Sequence, residues 1–291
     1  LFSTKEKNMI VVTGASGALG QLVVEGLLEK VPAAQIVAAV RDPAKVAHLA
    51  ARGVQVRRAD YTDPASLDSA FAGADRVLLV SANEVGKRTA QHRAVVDAAK
   101  RAGVKLLAYT SILRADSSPL RLAEEHVATE AAIRDSGLAY SFLRIGVYFE
   151  NFNGRIAGAA QRGEMVGSAG EGRISAAARA DYAAAAVAVL TTEAPQQVYE
   201  LAGSTSFTLA ELTAEAARQS GKAAVYRDLP PAEFAGVLAG VGVPAPWPEL
   251  LADSDAGSAR GSLFDDGKVL EKLIGRPTRC VSQAVEAALS A

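Results

Sequence analysis

Thr13-Gly14-Ala15-Ser16-Gly17-Ala18-Leu19-Gly20 is the stretch of this chain whose residue types and spacing carry the clearest chemistry. It follows a short β-branched apolar run, Ile10 to Thr13, and opens a helix-like segment, Leu19 to Glu29. A glycine at 14 permits a tight turn. One at 17 lets backbone amides approach a pyrophosphate without a Cβ in the way, and one at 20 lets the helix pack close to its neighbours. The helix start then turns unpaired amides and a positive dipole end toward an anion. Between a strand and a helix, this is a dinucleotide-binding loop, with Gly14, Ser16, Gly17, Ala18 and Leu19 at the phosphates.

The end of the next strand chooses the nucleotide. A site for NADH places a carboxylate about 20 residues after the glycines, on the ribose 2′-hydroxyl. Here that place holds Val40 and then Arg41. An arginine pairs with a 2′-phosphate through a charge-assisted fork, so NADPH is expected ahead of NADH. The alternative is that Arg41 only caps a solvated loop. Ligands of open α/β sheets sit outside the carboxyl ends of the strands. That rule puts Asp60 and Tyr61 near the adenine, and Ser81, Ala82 and Asn83 near the ribose and pyrophosphate. Thr110 and Ser111, at the end of the fifth strand, also fall on the cofactor side. Lys87 and Arg88 begin a helix, where they either approach the phosphates or form a solvated helix start.

Most short-chain reductases of ketones use a tyrosine and a lysine at i and i+4 on the helix after the fifth strand. That helix carries His126 and Glu130 at this spacing, and no Y-x-x-x-K. Two readings are open: His126 is a proton donor oriented by Glu130, or the two are a helix-surface pair near Arg134. Reduction of a quinone survives the loss of a dedicated acid. Hydride addition to an electron-poor ring gives a stabilised anion, so the protein mainly aligns the rings and excludes water. The absence of catalysis is equally compatible with the missing pair.

The elements that must position these residues read as repeated βαβ units. Strands are expected at Gln35 to Val40, Val54 to Ala59, Arg76 to Val80, Lys105 to Thr110 and Tyr140 to Leu143. Helices are expected at Pro64 to Phe71, Lys87 to Arg101 and Arg121 to Asp135, with Asp42-Pro43 and Asp63 as helix starts. The connections are too long for hairpins, so the sheet is parallel. The fold class is α/β: a doubly wound parallel Rossmann sheet over residues 9–150, then a smaller, mainly helical C-terminal lobe over 151–291. The chain is expected to return to the sheet around 173–201, with strand-like pieces at Arg173 to Ala176 and Val198 to Leu201 around an alanine-rich helix, Asp181 to Leu190.

Composition narrows the function classes. With 31 Lys and Arg against 32 Asp and Glu, the net charge is −1, which lacks the positive excess of a nucleic-acid binder. About one residue in five is alanine and only 5% are aromatic, which suits many close-packed helices. Cys280 stands alone, so no internal disulfide forms and a reducing cytoplasm is the expected location. No apolar run reaches the roughly 18 residues of a membrane span. Residues Leu1 to Asn8 lack the apolar core of a signal peptide, and Met9 stands where a natural start would. His48, His92 and His126 lie on separate segments, so no metal site is expected. His48 reads as a surface residue and His92 as structural. Trp247 reads as an anchor of the C-terminal lobe rather than a pocket wall.

These residues resemble the NmrA-like atypical short-chain dehydrogenase/reductases, of the NAD(P)H:quinone oxidoreductase type. The likeness runs through MIVVTGASGALG from Met9, SANEVGKRTAQHRAVVDAAKRAGVK from Ser81, AYTSILRADSSPLRLAEEHVATEAAIRDSG from Ala108, LRIGVYFEN from Leu143, SAAARADYAAAAVAVL from Ser175, VYELAG from Val198 and LADSDAGSARGSLFDDGKVLEKLIGRPT from Leu251. It implies NADPH binding and direct hydride transfer to a quinone without flavin, by a monomer or homodimer. An aromatic polyketide quinone is one implied substrate. In that group the segment after the sixth strand covers the nicotinamide, which here places Arg144 and Gly146 at the cofactor. Tyr148, Phe149, Asn151 and Phe152 follow as the substrate wall, with the quinone expected between sheet and lobe. Ile145 stands where the family usually has asparagine. The competing expectation, from the wider group, is a regulator that binds NADP(H) without turnover.

Overall fold

The computed structural model describes residues 8–290, so the reading of the first seven residues lies outside the described residues. In chain order the elements are β1 (Ile10–Thr13), α1 (Ala18–Leu28), β2 (Ile36–Val40), α2 (Ala47–Ala51), β3 (Gln55–Arg58), α3 (Pro64–Phe71), β4 (Arg76–Leu79), α4 (Arg88–Arg101), β5 (Leu106–Ile112), α5 (Ala123–Ser136) and β6 (Tyr140–Ile145). They continue as α6 (Asn153–Arg162), β7 (Glu164–Gly167), α7 (Arg179–Thr191), β8 (Val198–Leu201), α8 (Leu209–Ser220), β9 (Val225–Asp228), α9 (Pro231–Gly240), α10 (Trp247–Ser258), α11 (Val269–Ile274) and α12 (Val281–Leu289).

Among the described residues seven strands form one sheet in the order β3-β2-β1-β4-β5-β6-β8. β1 pairs in parallel with β2 and β4, β2 with β3, and β4 with β5. Bonds from Phe142 N to Gln197 O and from Gly146 N to Leu201 O step the same way along both chains, so β8 also runs parallel. The strand order reverses between β1 and β4, and such a switch point leaves a crevice at the strand ends. The sheet is the doubly wound parallel one that the βαβ periodicity predicts. β1 and β2 are buried at every position, as strands covered on both faces must be.

Helix starts follow their side chains. Asp63 caps α3 through Ser66 N, with Pro64 at the first helical position. Thr208 and Glu211 form a reciprocal capping box on α8. Thr208→Ala costs about 1 kcal/mol, and a lower denaturant midpoint at unchanged slope is the expected observation. Asp42 and Pro43 open a 3-10 turn at Pro43–Val46 before α2 begins. The strand expected at Arg173 to Ala176 is reduced to isolated bridges, Ile174 to Phe207 and Tyr148 to Ala177. A second, two-stranded parallel sheet of β7 and β9 has no counterpart in the sequence reading.

Two compact units interleave along the chain. The first takes residues up to 111, 125–143 and 182–199; the second takes 112–124, 144–181 and 200 onward. Residues 112–124 and 144–150 thus go with the second unit, and most of α7 with the first half of β8 goes with the first. The first unit's core includes Val37, Leu67, Phe71, Val95, Tyr109 and Phe142. The second unit's core includes Phe149, Phe152, Ile156, Phe207 and Leu212. Each fully buried large side chain contributes about 1.5–3 kcal/mol. Among the described residues no helix is long and apolar enough to cross a membrane, and no cluster of potential metal ligands occurs.

Candidate active site

The glycine loop is shaped by two of its glycines. Gly14 has φ +59°, a left-handed conformation that favours glycine. A Cβ on Gly20 would lie 2.5 Å from the Gly14 carbonyl oxygen and 2.8 Å from Ala15 Cα. Gly20 therefore lets α1 rise directly out of the turn. At Gly17 the added atom would meet only the Gly14 carbonyl, at 3.2 Å, so this residue also serves the turn itself. Gly17 N donates to that same carbonyl at 2.9 Å. Gly17 is the N-cap of α1, which has no side-chain cap and no acidic residue in its first turn. The first amides of a helix lack partners within it, and here no side chain caps them, in contrast to α3 and α8. Exposed Gly17 and Ala18 leave this end open. The loop thus fits the pyrophosphate of a dinucleotide.

Beneath the loop, Thr13 ties the switch point together. Its hydroxyl accepts from Val80 N at 3.0 Å and donates to the Leu78 carbonyl at 2.9 Å. The Tyr61 hydroxyl lies 2.5 Å from Thr13 Oγ1 and 2.9 Å from the Val80 carbonyl. The Tyr61 hydroxyl expected near the adenine is therefore spent on the scaffold, where burial pushes its pKa up. Asp60 is turned onto Thr62, accepting from its backbone and hydroxyl; these bonds hold the carboxyl below its ordinary range. Arg41 directly follows β2, with its side chain 75% exposed and its guanidinium 3.7 Å from Glu84. Lys87 shares that carboxylate at 3.4 Å. Exposed pairs of this kind hold their partners weakly, so both cations can turn to a phosphate.

Residues 81–87 are held from behind by side chains that sequence reasoning did not assign to this task. Ser81 N donates to Thr110 Oγ1 at 2.9 Å. Ala82 N donates to His92 Nε2 at 2.9 Å, and the Ala82 carbonyl accepts from Arg88 Nε at 2.8 Å. Glu125 accepts from Gly86 N and Arg88. His92 Nε2 accepts, so Nδ1 carries the proton and donates to Thr129 Oγ1 at 3.0 Å. Arg88 is accordingly a buried anchor of the loop, not a solvated helix start. The available signal was positional: Arg88, Gln91 and His92 continue the same i, i+3, i+4 stripe of α4 as Val95, Val96 and Ala99.

The His126–Glu130 pair departs from both earlier readings. Neither residue lies on the helix surface, and no hydrogen bond joins them. On β5, Tyr109 and Ser111 point to one face, two residues and roughly 6.6 Å apart. On α5, i and i+4 are separated by about 6 Å. The two spacings match, and each helix residue meets its own strand partner. The Tyr109 hydroxyl is 2.7 Å from His126 Nδ1, and the Ser111 hydroxyl donates to Glu130 at 2.6 Å. Glu130 also takes Arg134 at 2.9 Å. Burial, followed by the nearby Arg88 and His92, lowers the His126 pKa well below 6.5. At neutral pH the ring is uncharged, which removes the imidazolium acid.

His92 shares this depression, to about 3, through burial first and Arg88 second. Both rings bind fewer protons folded than unfolded. Their contribution to stability is present above pH 6.5 and lost as pH falls below it, for His92 down to about 3. A denaturant midpoint that falls with acidification over this window is expected, and a shallower fall in the His92→Gln variant measures the share of His92, with His126 supplying the remainder.

In the second unit, Arg144 is buried and committed to Asp116 at 2.9 Å and Glu200 at 2.8 Å. It organises the ends of β6 and β8 and is not presented to a nucleotide. Gly146 N is likewise used, on Leu201 O. Phe149 and Phe152 are 3% and 4% exposed and pack on Phe207 at ring separations of 5.4 and 5.8 Å. They are core residues rather than a stacking surface for a substrate. Tyr148 keeps partial exposure beneath the Arg179 guanidinium, 4.9 Å from the ring centre, and burial raises its hydroxyl to about 12. Asn151 is exposed and Ile145 buried.

Residues 6–255 match the NmrA-like family. The chain belongs to the NmrA-like family. Quinone oxidoreductase 2 of Escherichia coli is 51% identical over 95% of this chain and 97% of its own length. The structure of that NADPH-dependent E. coli quinone oxidoreductase in complex with NADPH superposes with a TM-score of 0.94, covering 97% of this chain and all of the other. The Citrobacter sp. triphenylmethane reductase complexed with NADP(H) has a TM-score of 0.91 at 38% identity, covering 96% and 99%.

Proposed function

We propose that this protein is an NADPH-dependent quinone reductase. Its 51% identity to an E. coli quinone oxidoreductase across almost the whole of both chains carries the reading. The uncapped start of α1 and the exposed Arg41 support it independently, as a pyrophosphate cradle and a 2′-phosphate partner. Gly14, Ser16, Gly17, Ala18 and Leu19 hold the pyrophosphate. The loop 81–87, fixed by His92, Arg88 and Thr110, lies along the ribose. NADPH, when bound, would supply a hydride, two electrons and one hydrogen, to the quinone, and one proton from water would balance the hydroquinone, with any hydrogen delivered to ring carbon passing to oxygen by enolisation. The chain's own part is to orient the two rings, exclude water and stabilise charge on the quinone oxygen.

The relatives offer no support for a polyketide tailoring substrate, so small benzoquinones and naphthoquinones are the proposed class. Purified protein, NADPH and such a panel, under exclusion of air, test the reading. Saturable NADPH oxidation with equimolar hydroquinone is expected without added flavin. Tight NADPH binding with no turnover of any quinone would return the regulator.

A further inference from the structure

The helix that carries a tyrosine in ordinary ketone reductases has His126 here, and a tyrosine stands behind it on β5. Tyr109 is fully buried, and its hydroxyl lies 2.7 Å from His126 Nδ1. Thr129 and Ser81 also lie within hydrogen-bonding reach of that hydroxyl, and the Thr129 proton is already spent on the Glu125 carbonyl. With the phenol donating to Nδ1, that nitrogen accepts and the imidazole proton is left on Nε2. Nε2 has no partner among the described residues, yet it is absent from the polar atoms sealed from solvent. A donor is thus fixed from behind and open in front, near the carboxyl end of β5, on the side where ligands of such sheets bind.

We propose that Tyr109 is a positioning residue that locks His126 in its Nε2–H tautomer, and that Nε2–H is a neutral hydrogen-bond donor to the quinone oxygen that gains charge. This rests on the quinone reductase reading. The balance is complete without a proton from either residue. NADPH would lose a hydride and become NADP⁺, the quinone would gain two electrons and one hydrogen, and water would supply the single proton that neutralises the charged oxygen. Burial raises the Tyr109 pKa and lowers that of His126, so neither a phenolate nor an imidazolium interrupts the arrangement. A fixed donor aimed at developing charge needs no reorganisation during reaction.

Nitrogen-15 NMR of the resting protein, read beside kinetics, tests the proposal. In wild type the His126 ring should show one tautomer, protonated on Nε2, unchanged from about pH 6 to 8. In Tyr109→Phe the signal should become a mixture, kcat should fall about tenfold, and the NADPH Kd should stay. His126→Ala should lose about 10²-fold in kcat. His126→Gln, whose amide N–H replaces the donor, should recover a large part of that loss. A proton on Nδ1 in wild type would overturn the proposal, as would an unchanged kcat in Tyr109→Phe or equal losses in the Ala and Gln variants. A wild-type protein that reduces no quinone would instead sink the functional reading and the donor role with it, while the tautomer remains readable.

Discussion

Arg41→Ala weakens NADPH binding by about 10- to 100-fold and leaves NADH binding close to wild type. The range follows from the 1.5–3 kcal/mol of hydrogen bonds to a charged group, at 1.4 kcal/mol per tenfold change. The asymmetry follows from where the difference between the two nucleotides lies. Only NADPH carries the 2′-phosphate, and Arg41 directly follows the strand beside the glycine loop with an exposed guanidinium. Its present partner, Glu84, is itself exposed and gives little resistance to exchange. Isothermal titration with both nucleotides measures the two affinities. Equal losses would show that Arg41 acts through the loop rather than on the phosphate.

Gly20→Ala is expected to abolish tight nucleotide binding and to cost about 1–3 kcal/mol of stability. The added methyl would overlap the Gly14 carbonyl and the Ala15 backbone, and neither can rotate away as a side chain could. Relief requires α1 to move from the turn, which displaces the amides that face the pyrophosphate. Gly154→Ala in α6 is the control, because nothing lies within 4 Å of its added Cβ. That substitution should be neutral or stabilising by up to about 1 kcal/mol. Nucleotide titration and thermal unfolding of both variants separate crowding at residue 20 from a general intolerance of alanine.

What the residues reveal depends on how local the determining contact is. The glycine loop, Asp63, and the strands β1, β2 and β4 are readable because turn geometry, capping and two-sided burial each act within a few residues. β7 and β9 are not, since residues 164–167 and 225–228 pair across some sixty positions and neither is a buried apolar run. Phe149 and Phe152 look like exposed aromatics after a strand, but Phe207, far along the chain, covers both. Arg144 reads as a cation for a phosphate until Asp116 and Glu200 are brought to it by the fold. The unusual spacing of His126 and Glu130 was visible in sequence. Their partners on β5 were not, because a helix facing a strand matches i+4 to i+2 only once the two are packed.

The interleaving of the two units bears on how the chain comes off the ribosome. The first unit lacks most of α7 and its half of β8 until residue 199 has emerged. Until then β6 stands as an unpaired sheet edge, which invites pairing with other chains. A fragment ending at residue 150 is left permanently in that state. It should aggregate rather than yield a separate nucleotide-binding module, so shuffling such a module between relatives requires transferring residues 182–199 with it.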